Sequence, residues 1–139
     1  NSEEGVLYAE ISALADDGTN RFSISNGTNN NNIYIELDNV SISCVGRVNG
    51  SNQFAMSVTK TITNYHKVAI KYKQNDFALW VDGVELATDT SGNTYPSNTL
   101  NSLQFNRGDG AIRFYGNTKG LQVFDKALSD YQLKQLTTI

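Results

Sequence analysis

Polar side chains on two neighbouring segments of the chain have the types and spacing of a carbohydrate-binding surface. They occupy alternate positions of the segments 33–38 and 41–47, so each segment, when extended, turns them to one face and its apolar residues to the other. The outward set consists of Tyr34, Glu36, Asp38, Ser41, Ser43 and Arg47, and Arg21 and Ser23 extend it. Sugars present apolar ring faces and hydroxyl rims, which aromatic rings, carboxylates and guanidinium groups contact. The pattern predicts a glycan-binding face, with an ordinary solvated sheet surface as the alternative.

Trp80, the only tryptophan, is the largest candidate for stacking on a sugar ring. It alternates with Leu79 and Val81 in the segment 77–81, so it points away from the side that these apolar residues bury. The functional interpretation is a stacking platform. The alternative is that Trp80 packs beneath the C-terminal helix or a loop.

Catalysis by paired carboxylates has less support in the sequence. Glycoside hydrolysis needs two carboxyl groups flanking the scissile bond, and nothing in the sequence places Glu10 or Glu85 opposite Glu36. A single histidine, His66, without a Gly-x-Ser-x-Gly segment gives little basis for a nucleophilic triad. The single cysteine, Cys44, alternates with apolar residues and is expected to be buried. The sequence therefore predicts a protein that is not an enzyme.

Strands must position these side chains, and the segment from His66 to Gly83 gives the plainest strand signal. Val68 and Ile70 belong to a period-two alternation, and Asp82-Gly83 is a hairpin turn signal because a type I′ turn needs positive φ at both central positions. About ten such segments follow one another at hairpin spacing. Ser129 to Gln132 fits a capping box and predicts a helix. The predicted fold class is all-β, a two-sheet antiparallel sandwich (jelly roll) with one short C-terminal helix.

Size and charge exclude several other classes of protein. The 139 residues are expected to form one domain, 1–139, with a core of its own. A formal net charge of -3 and a pI of about 5.0 disfavour a nucleic-acid partner. No apolar run approaches the roughly 20 residues that a membrane-spanning helix needs, so no membrane insertion is expected. The first five residues lack signal-peptide character, so any processing signal is expected outside this sequence.

Several segments make the chain resemble the concanavalin A-like (laminin G-like) jelly-roll domains. They are GVLYAEISA (5–13), HKVAIKY with LWVDGVEL (66–72 and 79–86), LNSLQFNRG (100–108) and YGNTKGLQVFDKALSDYQLKQL (115–136). Their sequences are most similar to those of the domains found in phage tail fibres and in modules attached to polysaccharide-degrading enzymes. The resemblance implies that the middle strands form a concave sheet and that its face with Tyr34 binds the ligand. Binding at loops along one edge is the other arrangement that it implies.

The resemblance also bears on metal binding and on catalysis. Related domains hold calcium in loops rich in carboxylates and amides, because calcium takes six to eight oxygen ligands. The two candidate calcium sites are formed by Asn106 with Asp109 and by Asp16 with Asp17. The alternative is that these are ordinary turn residues, and no cofactor is expected to be required. Glycanases of this superfamily carry a Glu-x-Asp-x-x-Glu or Glu-x-Asp-x-Glu motif, of which this chain has only the first two members.

The expected function is that of a non-catalytic carbohydrate-binding module for a polysaccharide or cell-surface glycan. The expected ligand-binding residues are Tyr34, Glu36, Asp38, Ser43, Arg47 and Trp80. The expected location is extracellular or in a virion, within a larger protein or a homo-oligomer. The alternatives are a structural or assembly domain of a virion tail fibre, and a jelly-roll glycoside hydrolase or lyase.

Overall fold

The computed structural model describes residues 1–139 and contains ten β-strands and one α-helix. The elements are β1 (Glu4–Ala13), β2 (Thr19–Ser25), β3 (Asn32–Asp38), β4 (Ser41–Val48), β5 (Ser51–Thr59), β6 (His66–Lys73), β7 (Phe77–Val81), β8 (Val84–Asp89), β9 (Ser102–Gln104), β10 (Gly116–Phe124) and α1 (Asp130–Thr137). The strand order is β10-β1-β6-β7-β8 in sheet A and β5-β4-β3-β2-β9 in sheet B. All neighbouring strands pair antiparallel. The predicted two-sheet sandwich with one short C-terminal helix is confirmed.

Apolar side chains from alternate positions of both sheets fill the space between them. Leu7 and Ile70 of sheet A and Phe22 and Ile35 of sheet B are almost completely buried in this core. Burying each such side chain stabilises the fold by about 1.5–3 kcal/mol relative to leaving it exposed. Cys44 lies in the same core, and burial raises the pKa of its thiol. The thiol is therefore neutral and inaccessible, as expected for a packing residue.

The helix α1 lies on the outer face of sheet A. Its capping box is confirmed, because the Ser129 hydroxyl accepts from the Gln132 N–H and the Gln132 side chain accepts from the Ser129 N–H at 2.9 Å. Leu133 packs into a second apolar cluster, whose members on sheet A are Val6, Tyr8, Ala69, Ala78 and Trp80. At the other end of the helix, the Gly83 N–H donates to the Thr137 hydroxyl at 3.1 Å. No helix of the structure has the length and apolar character that a bilayer span requires.

Two predicted backbone features are confirmed by dihedral angles and pairing. Asp82 and Gly83 have φ of 53° and 82°, the positive values that the tight β7–β8 turn requires. A glycine that interrupts the alternation of a strand predicts a bulge, and the β4–β5 register does shift between Gly46 and Arg47. A Cβ on Gly46 would lie 2.2 Å from the Phe54 ring, so a larger residue would displace that ring.

The sequence was less informative along the last third of the chain. Ile112 to Tyr115 read as a short strand from sequence, but the structure has no strand there, and Ile112 has a φ of 51° within a loop. The sequence pattern predicts a last strand from Gly120 to Asp125, whereas β10 begins at Gly116. Its first half is mostly exposed at the edge of sheet A, and the register with β1 shifts between Glu10 and Ile11. Both features remove the regular apolar alternation on which strand prediction depends.

Candidate functional site

Strands β2, β3 and β4 arrange the outward residues of sheet B in cross-strand rows. Ser23 of β2 stands beside Tyr34 of β3, and Asn32 of β3 stands beside Arg47 of β4. We call this surface the polar face; its members are Arg21, Ser23, Asn32, Tyr34, Glu36, Asp38, Ser41, Ser43 and Arg47. The intervening residues of β3 are buried in the core, so a slip by one residue would bury the polar side chains instead. The register of the polar face is therefore fixed by the core beneath it.

Arg21 is held between an acidic and an aromatic neighbour on the polar face. Its Nε donates to a carboxylate oxygen of Glu36, and its guanidinium carbon lies 4.4 Å from the centre of the Tyr34 ring. A guanidinium over an aromatic face is attracted by the ring quadrupole. Tyr34 is only 7% exposed as a result, so its ring is not the open stacking platform that a solvated tyrosine would provide. Arg21 instead presents a fixed set of donors above it.

Arg47 is the polar-face cation that has no carboxylate partner. Its Nη2 donates to the Gly50 carbonyl at 2.7 Å, which anchors one side of the guanidinium to the β4–β5 turn. Its Nε is buried and has no hydrogen-bond partner. Arg47 therefore carries an uncompensated positive charge with donor capacity left over.

The loop between β9 and β10 brings a third arginine to the polar face. The Asn32 side-chain amide donates to the Arg107 carbonyl at 2.8 Å, and a Cβ on Gly108 would touch Ser25 at 2.8 Å, so the loop lies against the sheet. The Arg107 guanidinium is bidentate to Asp109, at 3.2 Å and 2.6 Å. Sequence analysis missed Arg107, because nothing local indicates that this loop folds back. It also missed Asn32, which alternation with Tyr34 could have placed on the face.

Three buried polar atoms cluster on this surface without partners. Besides the Arg47 Nε, they are the Ser23 hydroxyl and the Asn32 side-chain oxygen. More than nine buried polar groups in ten are normally hydrogen-bonded, so such a cluster calls for an explanation. All three atoms are closed to solvent, so a ligand on the surface would reach them only if the groups that cover them moved.

The ionisation of Tyr34 reports the charges around it. Burial raises the pKa of its phenol, and the negative charge of Glu36 acts in the same direction. The positive charges of Arg21, Arg47 and Arg107 oppose this rise in pKa. Three guanidinium groups therefore act on one phenol, which remains neutral and available as a hydrogen-bonding hydroxyl.

The other predicted members of the face lie further from this arginine cluster. The Ser43 hydroxyl donates to the Ser57 hydroxyl at 2.8 Å, across the β4–β5 pair. An oxygen of the Asp38 carboxylate accepts from the Asn39 side-chain amide at 2.8 Å, at the end of β3. Both side chains are on the predicted face, but their groups already have partners within the protein.

Trp80 is not on the candidate surface. It is 6% exposed and lies between sheet A and α1, where it packs with Leu133. The interpretation of Trp80 as a stacking platform is therefore wrong, because the helix covers its ring. Alternation identified the face of β7 on which it lies but could not reveal what covers that face.

The residues named for calcium do not fit a calcium ion. The Asn106 side-chain oxygen accepts from the N–H groups of Gly108 and Gly110, and both carboxylate oxygens of Asp109 bind Arg107. These oxygens are thus committed to holding the loop in shape. Asp16 and Asp17 are exposed, and no three His, Cys, Asp or Glu side chains in the chain converge on one point. The arrangement matches the alternative of turn residues better than a site with six to eight oxygen ligands.

The strand carboxylates do not form a pair across a groove. Glu36 is ion-paired with Arg21 on sheet B, and Asp38 lies beside it on the same strand rather than across a groove. Glu10 and Glu85 lie on β1 and β8 of sheet A. An acid and a base or nucleophile on either side of a glycosidic bond would have to share one surface.

Comparison with known proteins places this arrangement in context. The model of the family described as "Concanavalin A-like lectin/glucanases superfamily" matches residues 7–134. Comparison with curated protein sequences gives no match.

Solved structures with the same fold include carbohydrate-active proteins and a pentraxin. The CBM40 of the Ruminococcus gnavus IT-sialidase, bound to α2,3-sialyllactose, has a TM-score of 0.79 at 19% identity, over 98% of this chain and 83% of that one. The leech intramolecular trans-sialidase complexed with 2,7-anhydro-Neu5Ac has a TM-score of 0.80 at 21% identity, over 99% of this chain but only 24% of that enzyme. The heptameric SAP-like pentraxin of Limulus polyphemus has a TM-score of 0.62 at 15% identity, over 96% and 69%. At these identities the likeness concerns the fold alone.

Proposed function

Because the chain belongs to the concanavalin A-like lectin/glucanase superfamily, we propose that it is a non-catalytic carbohydrate-binding domain whose ligand lies on the polar face of sheet B. The observation that carries this proposal is the cluster of three arginines near Tyr34. Arg21 lies over the Tyr34 ring, and Arg47 and the Arg107 backbone both lie beside Asn32 on the same strand. The terminal nitrogens of Arg47 support it, since only one of them has a partner within the protein and sugar hydroxyls can accept from the other.

The ligand we propose is an acidic glycan, with a sugar carboxylate beside Arg47. Arg21 and Arg107 already bind Glu36 and Asp109, whereas the Arg47 charge has no carboxylate within the protein. A charge-assisted hydrogen bond to a carboxylate is about twice as strong as a neutral one. Two of the similar structures were determined with sialic acid-containing or sialic acid-derived ligands, which carry such a carboxylate.

The proposed role is binding without bond cleavage, in an extracellular glycan-bearing setting. The two acidic residues in contact with the cluster, Glu36 and Asp109, are ion-paired with Arg21 and Arg107, and the strand glutamates Glu10 and Glu85 lie on the other sheet. A shallow sugar site usually binds weakly, so several copies on one assembly would raise the avidity.

The test is a glycan array of sialylated, uronate-containing and neutral glycans, followed by calorimetry with 3′-sialyllactose and with lactose. We expect the acidic glycan to bind more tightly and its affinity to fall with added salt. Arg47→Gln should weaken binding by about tenfold or more, because it removes the charged donor, whereas Arg47→Lys should recover part of the loss.

Lys134→Gln is the matched control, since it removes one positive charge from the exposed surface of α1 on the other side of the sandwich. It should leave the affinity unchanged. If the protein bound no glycan on the array, the proposed function would be contradicted. If Arg47→Gln and the native chain bound 3′-sialyllactose with equal affinity, the polar face would not be the binding site.

A further inference from the structure

A groove at one end of the sandwich has the composition of a separate ligand site. It encloses about 400 Å³ between the β1–β2 loop and the residue that precedes β10. Its lining includes Leu14, Asp17, Gly18, Thr19, Asn20 and Tyr115. The Leu14 N–H donates to the Tyr115 carbonyl at 3.4 Å, so the two walls are tied together by the backbone.

Tyr115 forms an open aromatic wall of this groove. Its side chain is 61% exposed, in contrast to Tyr34 on the polar face, and Leu14 opposite it is 66% exposed. A large ring and an apolar side chain left in water at the mouth of a groove provide a surface on which the apolar face of a pyranose can stack.

Asn20 supplies a polar group aimed at the same groove. It is 5% exposed. Its side chain makes one hydrogen bond, in which Oδ1 accepts from the Tyr115 N–H at 2.9 Å. Asn20 is one of the residues that line the groove. Its amide nitrogen, which has two donor hydrogens, has no partner in the protein and is not among the buried unpartnered atoms, so it stays open to solvent. A ligand in the groove can therefore accept a hydrogen bond from this amide without any change in the protein.

We propose that this end groove is a second carbohydrate subsite, which takes a neutral pyranose stacked on Tyr115 and hydrogen-bonded to the Asn20 amide. The only charged group in the lining is the Asp17 carboxylate, which accepts from sugar hydroxyls and repels acidic sugars. The site is independent of the polar-face proposal. Asn20 lies on the side of β2 opposite to its neighbour Arg21. It is also about 17 Å along the strand from Ser25, which pairs with Asn32 beside Arg47.

The experiment is an amide-resonance NMR titration with the methyl glycosides of glucose, galactose, mannose and N-acetylglucosamine at millimolar concentrations. We expect at least one glycoside to shift the amides of Leu14, Gly18 and Tyr115 saturably. Tyr115→Ala should weaken that binding by about tenfold, because it removes the stacking surface while the exposed position tolerates the change.

Two further variants separate binding from folding. Asn20→Asp keeps the acceptor for the Tyr115 N–H but removes the two donors, so it should lower the affinity in a protein whose folded spectrum is retained. Tyr131→Ala, which removes an exposed tyrosine from α1, should bind as the native chain does. The proposal is overturned if none of the four glycosides shifts the groove amides, or if Tyr115→Ala binds as tightly as Tyr131→Ala.

Discussion

The two sheets of the sandwich have outer faces built by the same alternation but used in opposite ways. The outer face of sheet A carries an apolar cluster that includes Tyr8 and Trp80, and the helix α1 covers it. The outer face of sheet B carries arginines, serines and a tyrosine, and a loop with Arg107 covers only part of it. An outward position in a strand thus becomes core or surface according to which later segment of the chain docks on it. Three changes would break or sharpen this contrast.

Trp80→Ala should have the largest effect, and on stability alone. Truncating a buried tryptophan leaves a cavity and typically costs about 3–5 kcal/mol of unfolding free energy. Trp80→Phe should cost much less, since it keeps most of the ring and removes an indole N–H that has no partner. Urea denaturation measures both. Unchanged stability of Trp80→Ala, or loss of glycan affinity in the folded variant, would contradict the placement of Trp80 on the covered face.

Ser129→Ala should have an intermediate effect on stability, because it weakens the helix α1 that covers Trp80. The Ser129 hydroxyl accepts from the Gln132 N–H, and loss of such an N-cap costs about 1 kcal/mol. Ser129→Gly should cost only a few tenths of a kcal/mol, because glycine is tolerated at an N-cap. The readouts are the urea midpoint and the accessibility of Trp80 fluorescence to a quencher. Equal destabilisation by both changes would indicate that the hydroxyl does not cap the helix.

Asp109→Asn should have the smallest effect and should depend on pH. The hydrogen bonds from Arg107 hold the pKa of the Asp109 carboxyl below its ordinary value. A lowered folded-state pKa contributes stability that is present above the ordinary value of about 4 and is lost as the pH falls through the folded value. At neutral pH the melting temperature of the native chain should therefore be higher than that of Asp109→Asn. The difference should be no more than about 4 °C, because the pair is exposed.

The pH profile of the two melting temperatures measures this pair. The difference should shrink as the pH falls below the ordinary carboxyl value and the carboxylate of the native chain becomes protonated. A difference that stays constant from neutral to acidic pH would show that Asp109 acts through its shape and not through its charge.

The features that follow from local pattern could be predicted from the sequence. The β7–β8 turn follows from Asp82-Gly83, the capped helix from Ser129 and Gln132, and the outward direction of Tyr34 from alternation with buried neighbours. Each of these depends on residues within a few positions of one another.

The features that depend on distant contacts could not be predicted. The cover over Trp80 requires α1 to dock on a strand some fifty positions earlier, and the position of Arg107 requires its carbonyl to meet Asn32. The oxygens of Asn106 and Asp109 resembled metal ligands in sequence, but the loop uses them for its own hydrogen bonds. For the same reason the groove at Tyr115 could not be found, because Asn20 and Tyr115 meet only in the fold.

The shared core between the sheets has a consequence for how this protein can be diversified. The residues that anchor α1 lie on one side of that core, and the arginine cluster lies on the other. Substitutions more than about 7–10 Å apart without shared partners usually act additively. A library restricted to polar-face positions such as Ser43 and Arg47 can therefore change what the domain recognises while the helix-covered half keeps its thermal tolerance.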